Sequence, residues 1–182
     1  SLVSPRRRNM CRSRVAVRRL EGDSLQNHKE HKMTSAIVAF LHHLFAFTLV
    51  ACVVYEFIAY RKGLTIEEAR RIQRADLFYG ISAGLLLIVG VLRVFFFEKG
   101  AAFYNQSPFF WVKMDAFLIV GLLSIDPTIR YIRWNKTLKE NKAPEITDKE
   151  FKRTRVILWL EVIGLAVIML AAAFMARGIG LN

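Results

Sequence analysis

The sequence predicts an all-α polytopic membrane protein, a four-transmembrane-helix bundle, and three observations predict it. Four apolar runs, Ala36 to Ile58, Leu77 to Phe97, Phe109 to about Ile125 and Val156 to Ala176, each approach the roughly 20 residues that an α-helix needs to cross a bilayer. Hydrophobic residues make up 54% of the chain and mean hydropathy is +0.29, although the chain carries 27 Lys and Arg and a net charge of +12. That charge lies between the runs, and the connecting loops are too short for an extramembrane catalytic module.

Residues 1–32 differ from the rest. Arg6, Arg7, Arg8, Arg12, Arg14, Arg18, Arg19, Lys29 and Lys32 occur there with almost no apolar clustering, a composition that predicts a disordered basic tail. The chain opens on Ser1, and Met33 stands directly before the first run. The plain expectation is that the native protein starts at Met33 and comprises residues 33–182. An Arg-rich transit peptide, or an arm for anionic lipid or nucleic acid, are the sharper alternatives.

The first run ends at Ile58, and a basic loop with Arg61, Lys62, Arg70, Arg71 and Arg74 follows. Thr65 and Glu68 have the spacing of a capping box, so a helix begins there and carries the second run. Ser107 and Pro108 read as N-cap and first position of the third helix. Asp126 and Pro127 then read as its inner end, with Thr128 to Lys139 bending away along the interface. Thr147 and Glu150 form a second capping box, with Ile146 and Phe151 placed to staple it. Gly80 and Gly84 give the second run a small-xxx-small face, the pattern of close helix approach. Cys11 and Cys52 are too far apart in this plan to form a disulfide, and Cys52 reads as a small buried hydrophobe despite a lipoprotein-like Leu49-Val-Ala-Cys52.

Charge asymmetry orients the bundle. The loop after the first run and the segment Arg130 to Arg155 are strongly basic, whereas Lys99 and Arg177 are isolated cations at the other end. The positive-inside rule puts the basic segments in the cytoplasm and both termini outside a cell inner membrane, provided the chain starts at Met33. The expected partners are the lipid bilayer and a homodimer or larger membrane complex. No nucleic acid is expected.

With that orientation, polar residues in the runs form two layers. Near the outer face lie His42, His43, Arg93, Lys113 and Asp115; near the inner face lie Glu56, Asp76, Asp126 and Glu161. A charge at mid-bilayer costs on the order of 3 kcal/mol, so each layer is expected to be internally paired. For the inner layer, pairing with Arg70, Arg71, Arg74, Arg130 and Arg133 is the plain structural reading. A proton pathway through Glu56 and Glu161 is the functional one. In the outer layer, consecutive His42 and His43 diverge by about 100° on a helix, so only one faces the bundle. His42 shares a stripe with Leu49, Val53 and Glu56.

Haem b needs an axial imidazole, an apolar slot and cations for the propionates. His42 or His43 can supply the ligand, Arg93, Lys113 or Arg177 the cations, and Phe95, Phe96, Phe97, Phe109, Phe110 and Trp111 the walls. Helix packing by the histidines and snorkelling of Arg and Lys are the structural counterpart. The runs lack a phosphate loop, a nucleophile elbow and a histidine pair at metal-ligand spacing, so a hydrolase or zinc protease has no support.

The segments Arg74-Ala-Asp-Leu-Phe-Tyr-Gly80, Gly90 to Tyr104, Pro108-Phe-Phe-Trp-Val-Lys113, Asp126-Pro-Thr and Met175-Ala-Arg-Gly-Ile-Gly180 resemble the domain of unknown function 2214 family of uncharacterised bacterial membrane proteins. The resemblance runs from about Val38 to Gly180. It implies the four-span architecture and no activity. The histidine in the first span and lysine early in the third are distantly similar to the HemJ-type and CopD-type membrane proteins. That likeness implies a haem or metal role for His42 or His43 and Lys113. Three function classes follow from the sequence: a haem-binding or redox-associated bundle, a proton-coupled or small-molecule transporter, and a structural or assembly protein.

Overall fold

The computed structural model describes the backbone of residues 5–93 and 108–177; side chains are described from residue 26, except 27, 28 and 31. Among the described residues the fold has four helices: α1 (Pro5–Ala59), α2 (Ile66–Leu92), α3 (Pro108–Lys139) and α4 (Asp148–Ala176). Each contains a segment long and apolar enough to cross a membrane, beginning at Lys32 in α1. Between 6% and 28% of each apolar window is buried within the chain. Exposed side chains such as Phe40, Phe47, Ile58, Leu118, Leu122, Trp159 and Met169 therefore present an apolar surface suited to lipid. Burial of that much apolar surface is what favours the bilayer over water.

The buried faces follow helical periodicity. Leu49, Val53, Glu56 and Tyr60 descend one side of α1, and Thr154, Ile157, Leu158, Glu161 and Leu165 descend one side of α4. Two apolar clusters result. One joins Leu49, Val53, Tyr79, Val120 and Leu165; the other, toward the basic loops, joins Tyr60, Leu64, Ile72, Tyr131 and Leu158. The second is rich in aromatic contact: the Tyr60 ring stacks on Trp134 and Phe151 at 6.4 and 5.8 Å between centroids. Aromatic side chains with a polar edge suit this level of a membrane protein.

Capping sets the helix starts as the sequence predicts. The Thr65 hydroxyl accepts from the Glu68 N–H while Glu68 accepts from the Thr65 N–H, and Thr147 and Glu150 repeat the exchange. Ile146 and Phe151, the expected staple, both pack on the second cluster. The α1–α2 turn needs Gly63, whose φ of 69° is left-handed, a region costly for other residues. Helix α3 ends in a Schellman arrangement: the Lys142 N–H donates to the Thr137 carbonyl and the Asn141 N–H to Leu138, with Asn141 at φ 55°.

Arg155 ties α4 to the end of α1. Its guanidinium donates to the carbonyls of Phe57, at 2.7 Å, and Tyr60, and lies 4.3 Å from the Phe57 ring centre. Those carbonyls lie at and just beyond the last turn of α1, where no intrahelical donor remains to meet them. Lys62 pairs with Asp148, and Arg61 with Glu68 at 2.6 Å, closing the loops at this face.

Helix α1 begins at Pro5, so its backbone takes in most of the segment 1–32. The structure differs from the sequence expectations in two places. Helix α3 does not end at Asp126 and Pro127 but runs through them to Lys139. Pro127 costs one donor, yet Val120 before it and Tyr131 and Leu138 after it are all packed, and that burial holds one continuous helix. At 32 residues it is about 48 Å long against a hydrocarbon core of about 30 Å, so its last turns stand among the loops.

The second difference concerns glycine. Gly80 and Gly84 meet nothing within 4 Å of a notional Cβ, so they do not mediate helix contact. Gly164 does: a Cβ there would collide with the Val120 side chain of α3. Gly164→Ala should therefore lower stability by about 1–3 kcal/mol, the usual penalty of overpacking. Gly84→Ala should be neutral or stabilising, because it gains helix propensity in open space. Denaturation of the purified protein in detergent micelles distinguishes the two, and equal behaviour of both variants would contradict the packing described.

Candidate functional site

The inner polar layer divides in two. Asp126 behaves as expected of an interfacial ion pair: it accepts from Arg130 at 2.9 Å and Arg153 at 2.8 Å, and Arg130 also reaches Glu150 at 3.5 Å. These groups sit at the loop end of α3 and α4, partly open to water, where such pairs contribute little to stability and mainly fix helix ends.

Glu56, Asp76 and Glu161 are different. They are 3%, 8% and 2% exposed, and each interrupts an apolar stripe between the two clusters. Glu56 follows Val53 and precedes Tyr60, Asp76 lies between Ile72 and Tyr79, and Glu161 between Leu158 and Leu165. Three helices thus bring one carboxyl group each to a common level, within electrostatic reach of one another. Among the described residues none of the three has an Arg or Lys within 4 Å. The expected pairing with loop arginines is absent for them because they lie too deep in the bundle.

Hydroxyl groups line this level instead. Thr128 on α3 donates to Asp76 at 2.6 Å. Tyr131 reaches toward Glu56 without closing a bond of ordinary geometry. One oxygen each of Glu56 and Glu161, the Tyr131 hydroxyl and the Thr154 hydroxyl are buried without a hydrogen-bond partner. Tyr60, just beyond the end of α1, caps the level; burial pushes its phenol above the ordinary range, so it remains a proton donor. Gln73 donates to the Tyr131 carbonyl and to Asn135 at 3.1 Å, which fixes α2 against α3 beside Asp76.

The sequence did not single out Thr128, Tyr131 or Thr154. The signal was present: Thr128 and Tyr131 follow Asp126-Pro127 within one turn of a continuous helix, and only the expected break after Asp126 removed them from the bundle.

The outer layer is partly assembled. His42 is half-buried and turned toward α2, where its Cε1 lies 3.5 Å from the Cβ position of Gly90. Its Nδ1 is buried without a hydrogen-bond partner. The charges of Arg93 and Lys113 lie within electrostatic reach of the ring. His43 meets it edge-on at 6.1 Å but is itself exposed, as is Asp115. The stripe of His42, Leu49, Val53 and Glu56 expected from spacing is the inward face. Phe95, Phe96 and Phe97 fall outside the described residues; Phe109 packs on Phe174 at 5.2 Å and Phe110 on Trp111 at 5.7 Å. Among the described residues no three His, Cys, Asp or Glu side chains converge to hold a metal ion.

These features sit in a chain whose residues 34–180 match the family described as predicted membrane protein, DUF2214. The chain belongs to that family. Neither a curated protein nor a solved structure matches it.

Buried polar groups left half-satisfied are costly, and replacing them with apolar groups of similar shape is often neutral or stabilising. Glu161→Leu should therefore leave stability unchanged or raise it. Thr128→Val, which leaves Asp76 without its donor, should lower stability by about 1–3 kcal/mol. Micelle denaturation of both variants checks this, and a large loss for Glu161→Leu would mark that carboxyl as a structural tie.

Proposed function

We propose that this protein is a proton-coupled transporter of a small molecule, with Glu56 and Glu161 as its proton-accepting groups and Asp76 beside them. The observation that carries this reading is the pair of nearly fully buried carboxyl groups on α1 and α4, each with an oxygen that has no hydrogen-bond partner, gathered around a third. Three carboxylates in an apolar bundle repel and lack nearby cations, so bound protons must balance the charge. Intramembrane carboxyl groups of this kind are the usual parts of proton relays.

Geometry supports a gated route and not an open pore. Asp76 lines a groove between α2 and α3 that also reaches Arg70 and Arg74 of the basic loop end, giving one side of the centre a polar approach. On the other side Leu49, Val53, Val120 and Leu165 form an apolar plug, so passage to the outer layer requires the helices to move. The basic loops, joined by Lys62 with Asp148 and by Arg130 with Glu150, form one positively charged face. We place that face in the cytoplasm of a cell whose inner membrane holds the protein, with the C-terminal end of α4 outside.

In proteoliposomes carrying an imposed pH gradient and an entrapped pH-sensitive dye, the full chain should pass protons far faster than empty vesicles. Glu56→Gln and Glu161→Gln should each remove most of that flux while the helical content stays unchanged. Flux that survives both substitutions would overturn the reading.

A second reading is favoured by one observation in the outer layer, the buried and unpartnered Nδ1 of His42 beside Arg93 and Lys113. These residues would hold a haem b, with His42 toward the iron and the two cations toward the propionates; when bound, haem supplies a redox-active iron. Because His43 is exposed, His42→Ala should abolish a Soret band in protein produced with ample haem, whereas His43→Ala should retain it. A colourless wild-type preparation would end this reading.

A further inference from the structure

The groove between α2 and α3 has a volume of about 1120 Å³ and opens sideways where lipid surrounds the bundle. Its two ends differ in chemistry. At the loop end stand Arg70 and Arg74, one turn apart on α2, with Gln73 and Asn135. Along its length run Gly80, Gly84 and Gly121, at each of which a Cβ would meet nothing within 4 Å, walled by Leu77, Leu87 and Phe117. From Arg74 to Leu87 the slot is about 20 Å long at 1.5 Å per residue.

The arginines are available. Among the described residues Arg70 reaches only the Leu138 carbonyl, at 3.4 Å, and Arg74 only the Arg70 carbonyl, at 3.3 Å. Among the described residues neither has a carboxylate within 4 Å, whereas Arg61, Lys62, Arg71, Arg130 and Arg153 all do. Asp76 faces the same space but is taken up by Thr128. A pair of uncompensated guanidinium groups at the mouth of an apolar, glycine-floored slot matches a phosphate on an acyl chain.

We propose that this groove binds one anionic phospholipid of the surrounding leaflet, its phosphate between Arg70 and Arg74 and one acyl chain lying along the glycines. The site does not depend on the carboxyl centre for its binding energy. It accounts for the open space along the glycine face between α2 and α3.

The test uses the full chain extracted from membranes into mild detergent, equilibrated with equal amounts of phosphatidylglycerol and phosphatidylcholine and examined by native mass spectrometry. The expected result is one retained phosphatidylglycerol per chain, preferred at least tenfold. Arg70→Gln with Arg74→Gln should abolish that preference, while the charge-matched pair Lys136→Gln with Lys139→Gln, outside the groove, should keep it. Gly84→Phe, which fills the slot, should lower retention of either lipid, and Gly84→Ala should not; circular dichroism confirms that each variant is folded. Equal retention of the two lipids by the unmodified chain would overturn the proposal. So would a preference unchanged by the arginine substitutions, or a lipid-free dimer that crosslinks through Gly84→Cys.

Discussion

The burial of three carboxyl groups between two apolar clusters is the constraint on which the rest of this structure depends. Each of α1, α2 and α4 gives up one position of an inward stripe to Glu56, Asp76 or Glu161, where an aliphatic side chain would have packed at no electrostatic cost. The three share one level in the register the helices adopt. In that register α3, continuous past Pro127, brings the Thr128 and Tyr131 hydroxyls to Asp76 and Glu56.

The same constraint explains where the ion pairs are. Arginine and lysine remain at the loop ends, where water and headgroups solvate them, and there they meet Asp126, Asp148 and Glu150. None of the basic side chains bends inward to the carboxyl layer among the described residues. Snorkelling favours that separation, since a long cationic chain lowers its energy by reaching out of the hydrocarbon. The bundle therefore carries an ion-paired belt at its loop face and, among the described residues, a layer without cations inside it, and the contrast between Asp126 and Glu161 is one of depth and not of residue type.

Much of this was legible in the sequence for a physical reason: hydrophobic length and capping are local properties. The four runs, both capping boxes and the inward stripe of His42, Leu49, Val53 and Glu56 depend only on spacing along one helix. What was not legible depends on contacts between helices. Pro127 ends a helix by local rules, but Val120, Tyr131 and Leu138 are packed on both sides of it, and tertiary burial outweighs one lost donor. Gly80 and Gly84 carry the small-xxx-small pattern, yet the glycine where a Cβ would collide with another helix is Gly164, whose partner is a Val120 side chain.

The two layers can also be weighed against each other. His42 has a packing reason for its position, since its ring packs against α2 at Gly90; its placement would make sense in a purely structural helix pair. Glu161 has no such reason. It is 2% exposed, has a buried oxygen without a partner, and occupies a position on the α4 stripe where Leu158 and Leu165 show what packing alone prefers. A chain that retains the costlier choice on three separate helices, at one level, keeps a feature that its stability does not require. The inner layer therefore points to function more directly than the outer one, although the histidines are the more conspicuous residues in the sequence.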